Sequence, residues 1–116
     1  MTQQQRAAEL LAANRAGTLD RLTGLERELA AIIESSYSTA TDDEHDPEGA
    51  TLAFERQHVA ALVSQARQQL AQIDAAMLRL AEGTYGRCES CGRPISAARL
   101  AARPMTTLCI NCAACR

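Results

Sequence analysis

Residues 83–112 read GTYGRCESCGRPISAARLAARPMTTLCINC, and the cysteines in this stretch decide how the chain is read. Cys88 and Cys91 form one C-x2-C pair, and Cys109 and Cys112 form a second, with 17 residues between the pairs. A C-x2-C turn points two thiolates at one tetrahedral centre, and Gly92 relieves crowding just after the second sulfur. Two such turns complete a four-sulfur site with no position open for water, which is the pattern of a structural and not a catalytic metal. The spacing predicts one structural zinc ion held by Cys88, Cys91, Cys109 and Cys112. Apart from the metal, this stretch has few apolar groups: Tyr85, Ile95, Leu100, Leu108 and Ile110. Zinc binding, worth roughly 10–16 kcal/mol in such modules, would be what folds it. Cys115 could replace Cys112, since C-x2-C repeats from Cys112 to Cys115, or be a free thiol; the free thiol is the favoured reading, because the other four cysteines complete the site.

Upstream of the cysteines the sequence is helical in character. From about Gln4 to Ser35 it is rich in Ala, Leu, Glu and Arg and free of Pro. Ala8, Leu11, Leu22, Leu25, Leu29 and Ile32 recur at three- and four-residue steps, with Arg15 and Thr18 interrupting the seam. The pattern stops at SSYSTATDDEHDP, whose Ser, Thr and Asp side chains compete for backbone hydrogen bonds. Asp46 then offers an N-cap, with Pro47 at the first helical position. The second helix carries the stripe Val59, Leu62, Ala66, Leu70, Ile73, Met77 and Leu80, and Gly83 is placed to stop it.

Two helices of similar length joined by a short polar connection favour an antiparallel hairpin. The expected fold is therefore mainly α. A long antiparallel two-helix coiled-coil hairpin occupies residues 1–83, comprising helix 4–35, an acidic tip loop 36–47 and helix 48–82. A small C-terminal four-cysteine zinc-finger module follows over 84–116.

Composition narrows the function. The net charge is −2 and all 12 basic residues are Arg, so there is no generally basic coat for nucleic acid. Residues 84–116 hold Arg87, Arg93, Arg99, Arg103 and Arg116 against Glu89, but a zinc tetrathiolate centre itself carries about −2. The N-terminus shows no apolar export segment, and no stretch is apolar enough for a membrane span. Five cysteines without an export signal suggest a reducing, cytoplasmic setting. Asp42, Asp43, Glu44, Asp46 and Glu48 place five carboxylates in seven residues. They form either a solvated turn or a negative prong for a positively lined or metal-containing cavity.

From Gly83 onward the chain resembles the DksA/TraR family of RNA polymerase-binding regulators. The likeness rests on Tyr85-Gly86-Arg87-Cys88-Glu89-Ser90-Cys91-Gly92, on Ile95, on Arg99-Leu100-Ala101-Ala102-Arg103-Pro104, and on Leu108-Cys109-Ile110-Asn111-Cys112. The hairpin resembles the family's coiled coil. The resemblance implies a non-enzymatic cytoplasmic regulator that binds RNA polymerase and inserts its acidic tip into the secondary channel to modulate initiation. It implies no sequence-specific DNA contact. The family often acts with ppGpp, for which no residue of this sequence speaks. The family's tip pattern, D-x-x-D-x-A, is approached by His45-x-x-Glu48-x-Ala50 and by Asp43-x-x-Asp46. Candidate tip residues are thus Asp42, Asp43, Glu44, Asp46, Glu48 and Ala50, and Arg87, Arg93, Arg99 and Arg103 are candidate docking residues. Two other readings of the residues are a nucleic-acid-binding zinc ribbon and a zinc-thiolate redox sensor.

Overall fold

The computed structural model describes the backbone of residues 2–39 and 47–115, and the side chains of 2–37 and 49–115. Two long helices, α1 (Gln3–Thr39) and α2 (Pro47–Glu82), precede two short ones, α3 (Ala97–Ala102) and α4 (Ile110–Ala114). Among the described residues β pairing is limited to one isolated antiparallel bridge, Arg87 with Pro94. The chain is mainly α, with the two long helices in an antiparallel hairpin followed by the cysteine module.

α1 starts at a reciprocal cap. The backbone N–H of Gln5 donates to Thr2 Oγ1 at 3.1 Å, and the N–H of Thr2 donates to Gln5 Oε1 at 2.8 Å. This capping box occupies two N–H groups that a helix start otherwise leaves open. The helix also runs past its expected end at Ser35 to Thr39. Local competition from Ser and Thr is worth only tenths of a kcal/mol per residue, too little by itself to end a helix.

α2 ends as its sequence requires. The N–H of Gly83 reaches the Leu80 carbonyl at 3.3 Å and that of Thr84 reaches the Arg79 carbonyl at 2.9 Å, the two bonds of a Schellman motif. Gly83 takes the φ of +82° that this motif needs.

The chain divides into two compact units. One unit is Thr18–Gln69. Its seam buries Thr18, Leu22, Val59, Val63 and Ala66. Across it, Arg21 Nη2 donates to Gln69 Oε1 at 2.5 Å and Arg67 Nη2 to Glu26 Oε2 at 2.8 Å. The falling and rising numbers fix the antiparallel register. Thr18, expected to interrupt the seam, is buried within it, and Val63 joins the stripe beside the half-buried Leu62. His58 stands exposed next to the buried Val59 and so does not enter the interface.

The other unit joins Met1–Gly17 to Leu70–Arg116, and so cuts across the expected limits of 1–83 and 84–116. Its core is Leu11, Ile73, Ala76, Tyr85, Cys88, Ile95 and Leu100, with Ala7, Met77, Leu80, Met105 and Leu108 packed around them. The physical reason is size. The module supplies too little apolar surface to close a core alone, and it uses helix side chains to finish one. Arg15 Nε pairs with Asp74 Oδ1 at 2.7 Å. Both groups are about half exposed, so the pair adds at most about 1 kcal/mol.

Candidate metal centre

Each cysteine pair is shaped by backbone bonds. In the first turn the N–H of Cys88 donates to the Arg93 carbonyl and that of Gly92 to the Cys88 carbonyl, both at 2.9 Å. Gly92 takes φ +75° to close this loop. Cys109 is the N-cap residue of α4, and Cys112 follows one turn later on that helix. The N–H of Glu89, inside the first turn, donates to the Thr107 carbonyl at 2.9 Å and ties the two turns together.

The structure brings together the thiols of Cys88, Cys91, Cys109 and Cys112, all within 4.8 Å of one another. Cys91 Sγ and Cys109 Sγ lie 3.8 Å apart. A tetrahedron of sulfurs at about 2.3 Å from zinc has edges of roughly 3.8 Å, so this spacing fits a metal. It is far from the ~2.05 Å of a disulfide. Cys88 is buried, Cys109 and Cys112 are half-buried, and Cys91 is exposed. Cys115 is exposed at the end of α4, outside the quartet.

The electrostatics also call for a cation. Backbone N–H groups of Cys109 and then of Cys91 and Ser90 hold Cys88 down to about 6. The N–H of Cys112 lowers Cys109. Cys112 moves the other way, pushed up to about 12, because its thiol hydrogen-bonds with Cys109 and then with Cys88 and Cys91, which favours keeping its proton. The quartet titrates as a set, and four thiolates this close do not coexist without a positive ion. Bound zinc would supply that charge and join the two turns into one structural centre.

The family model for the prokaryotic dksA/traR C4-type zinc finger matches residues 83–114, which contain all four of these cysteines. Beyond the finger, the structure of transcription factor DksA2 from Pseudomonas aeruginosa is similar over 97% of this chain and 81% of that one, with a TM-score of 0.82 and 31% identity. The chain belongs to the DksA/TraR family. Among curated relatives, the RNA polymerase-binding transcription factor DksA of Caulobacter vibrioides is 46% identical over 45 residues, 39% of this chain. An uncharacterised protein of Aquifex aeolicus is 48% identical over 44 residues, 38% of this chain. These matches span about a third of the length of the curated relatives, 32% and 30% respectively. Family membership and the four-sulfur geometry together make the centre a structural zinc site.

The other sites expected for a DksA/TraR member are placed unevenly. Asp42, Asp43, Glu44, His45, Asp46 and the side chain of Glu48 lie outside the described residues, and Ala50 is exposed on α2. Of the candidate docking residues, Arg93 and Arg103 are exposed. Arg87 donates to the Gly92 carbonyl at 3.3 Å. Arg99 is turned inward, its Nε donating to the Leu108 carbonyl at 2.9 Å. Sequence reasoning missed Arg79, whose Nη2 reaches the Met105 carbonyl at 3.5 Å, and Thr106, which accepts from Arg99 Nη2 at 3.4 Å. Neither carries a motif; only the folded loop gives them roles.

Proposed function

We propose that this chain binds RNA polymerase directly and carries the acidic loop between α1 and α2 into the secondary channel, where it modulates initiation. The observation that supports this most is the likeness to a DksA2 transcription factor over 97% of the chain, helices and zinc module alike. A relative named for binding RNA polymerase points the same way. In this reading the protein is a non-enzymatic regulator of the cytoplasm. The zinc module braces the end of α2 and docks through exposed arginines such as Arg93 and Arg103. The carboxylates of Asp42, Asp43, Glu44, Asp46 and Glu48, with Ala50 beside them, act on charged groups or on the Mg2+ environment inside the channel. A few carboxylates bind Mg2+ only weakly alone, so any such contact needs the polymerase.

Two measurements test this. Purified chain should retain core RNA polymerase in a pull-down, and the double variant Asp46→Asn with Glu48→Gln should bind equally well but lose its effect on transcription in vitro. No retention of polymerase by the wild-type chain would end the proposal. Full regulation by the double variant would remove the role given to those two carboxylates.

A further inference from the structure

Between α3 and Cys109 runs an irregular strap, Pro104–Leu108, whose carbonyls are held from several directions. Pro104 accepts from the Tyr85 hydroxyl at 2.7 Å, Met105 from Arg79 and Thr107 from the N–H of Glu89. Leu108 accepts from Arg99 Nε at 2.9 Å and from Thr106 Oγ1 at 3.1 Å. The Thr106 oxygen in turn accepts from Arg99 Nη2 and from the N–H of Leu108 at 3.3 Å. The fork of one guanidinium thus spans a carbonyl and a hydroxyl two residues apart.

The peptide plane joining Leu108 to Cys109 is where this matters. Its carbonyl is the one held by Arg99, and its nitrogen belongs to Cys109, whose sulfur lies within 4.8 Å of the other three. In a planar trans peptide these two groups point in opposite directions and cannot be turned independently. Fixing the carbonyl therefore sets the direction from which the Cys109 side chain enters the site, so one outer contact bears directly on a ligand.

We propose that Arg99 is the positioning residue of the zinc centre: by clamping the Leu108–Cys109 peptide it governs how slowly the metal leaves. Partners behind the ligands of metal sites commonly change metal retention by about 10–100-fold when removed. Lysine cannot replace the fork, since a single ammonium does not span both the Leu108 carbonyl and Thr106 in the same fixed plane. The role needs no polymerase, so its test is separate from that of the proposed function.

The test is zinc transfer from the loaded full-length chain to an excess of a chromogenic chelator, with circular dichroism confirming equal helix content. Arg99→Gln should release zinc about 10–100-fold faster, Arg99→Lys should fall between it and wild type, and Thr106→Ala should shift the rate in the same direction. Arg103→Gln removes the same charge from the same segment without touching the clamp and should leave the rate unchanged. The cobalt-substituted Arg99→Gln chain should also show altered d–d absorption, a readout of ligand geometry that overall stability does not move. A wild-type release rate in Arg99→Gln overturns the proposal, as does equal acceleration by Arg103→Gln, which would reduce the effect to charge. Should Arg99→Gln not fold, Arg99→Lys decides: a wild-type rate in that variant overturns it as well.

Discussion

The Tyr85 hydroxyl donates to the Pro104 carbonyl at 2.7 Å, joining the turn that leaves α2 to the strap that leads into Cys109. Tyr85 is also one of the few large side chains in the core of its unit, and it is 8% exposed. A single phenol therefore fills the apolar centre and ties down a loop that has no secondary structure.

Replacing Tyr85 with Phe should keep the packing and lose the bond, at about 1 kcal/mol. Its pH signature follows from the titration. Burial raises the Tyr85 pKa above the ordinary value near 10, against a smaller lowering by Arg79. A raised folded-state value means the stabilisation is complete below about pH 10 and fades as pH rises through the folded pKa. Thermal melts of the zinc-loaded protein across pH 8–11 should show this alkaline loss in wild type and less of it in Tyr85→Phe. Identical alkaline limbs would assign the loss to other groups.

Zinc removal should act on one unit far more than on the other. Cys88 belongs to the core that also contains Leu11, Ile73 and Ile95, whereas the unit Thr18–Gln69 buries none of the four ligands. Chelation, or Cys91→Ser, should raise amide exchange at Tyr85, Ile95 and Leu100 by orders of magnitude while Val59 and Val63 keep most of their protection. Acid should do the same. Without metal, Cys88 is held down to about 6, so its own contribution is present above the ordinary thiol range and is lost as pH falls through about 6. Protons also compete with zinc for all four thiolates, so a zinc-sensitive dye in a pH titration should show retention at neutral pH and release on acidification.

Much of this was legible in the residues. The two C-x2-C pairs announced the quartet because chelation by adjacent turns is a local property, readable from spacing. Gly83 announced the end of α2 for the same reason. The shared core was less legible. That Leu11 and Ile73 would close over Tyr85 and Cys88 depends on how few apolar groups the module has to offer, and on a helix start that is distant in sequence. Thr18 reads as polar on a seam, yet its side chain is small and carries a methyl group, and it is buried there. The inward turn of Arg99 has no sequence signal, since an arginine on a short helix looks the same whether it faces solvent or a carbonyl.

The start of α1 offers a direct check of a local device. Thr2-x-x-Gln5 forms bonds in both directions, so Thr2→Ala removes one and loosens the other. The expected cost is about 1 kcal/mol, confined largely to fraying of the first turn. Exchange at Gln5 and Arg6 should rise while exchange at Leu11 stays close to wild type. Global destabilisation of several kcal/mol would show that the cap supports more than its own turn.

Glycines within the helices and at their ends should respond with opposite signs. Gly17 and Gly24 lie inside α1, and a Cβ built on either meets no atom within 4 Å. Each costs helix stability relative to Ala, so Gly17→Ala and Gly24→Ala should each stabilise by about 0.5–1 kcal/mol. A Cβ on Gly83 likewise meets nothing, but the residue sits at φ +82°, a conformation that L side chains resist by roughly 1–2 kcal/mol. Gly83→Ala should therefore destabilise despite the open space around it. Urea melts of the three single variants separate the two causes: because none of the three sites is crowded, any difference in sign comes from backbone conformation. If Gly83→Ala proved neutral, the Schellman bonds at the end of α2 would not depend on a left-handed residue at that position.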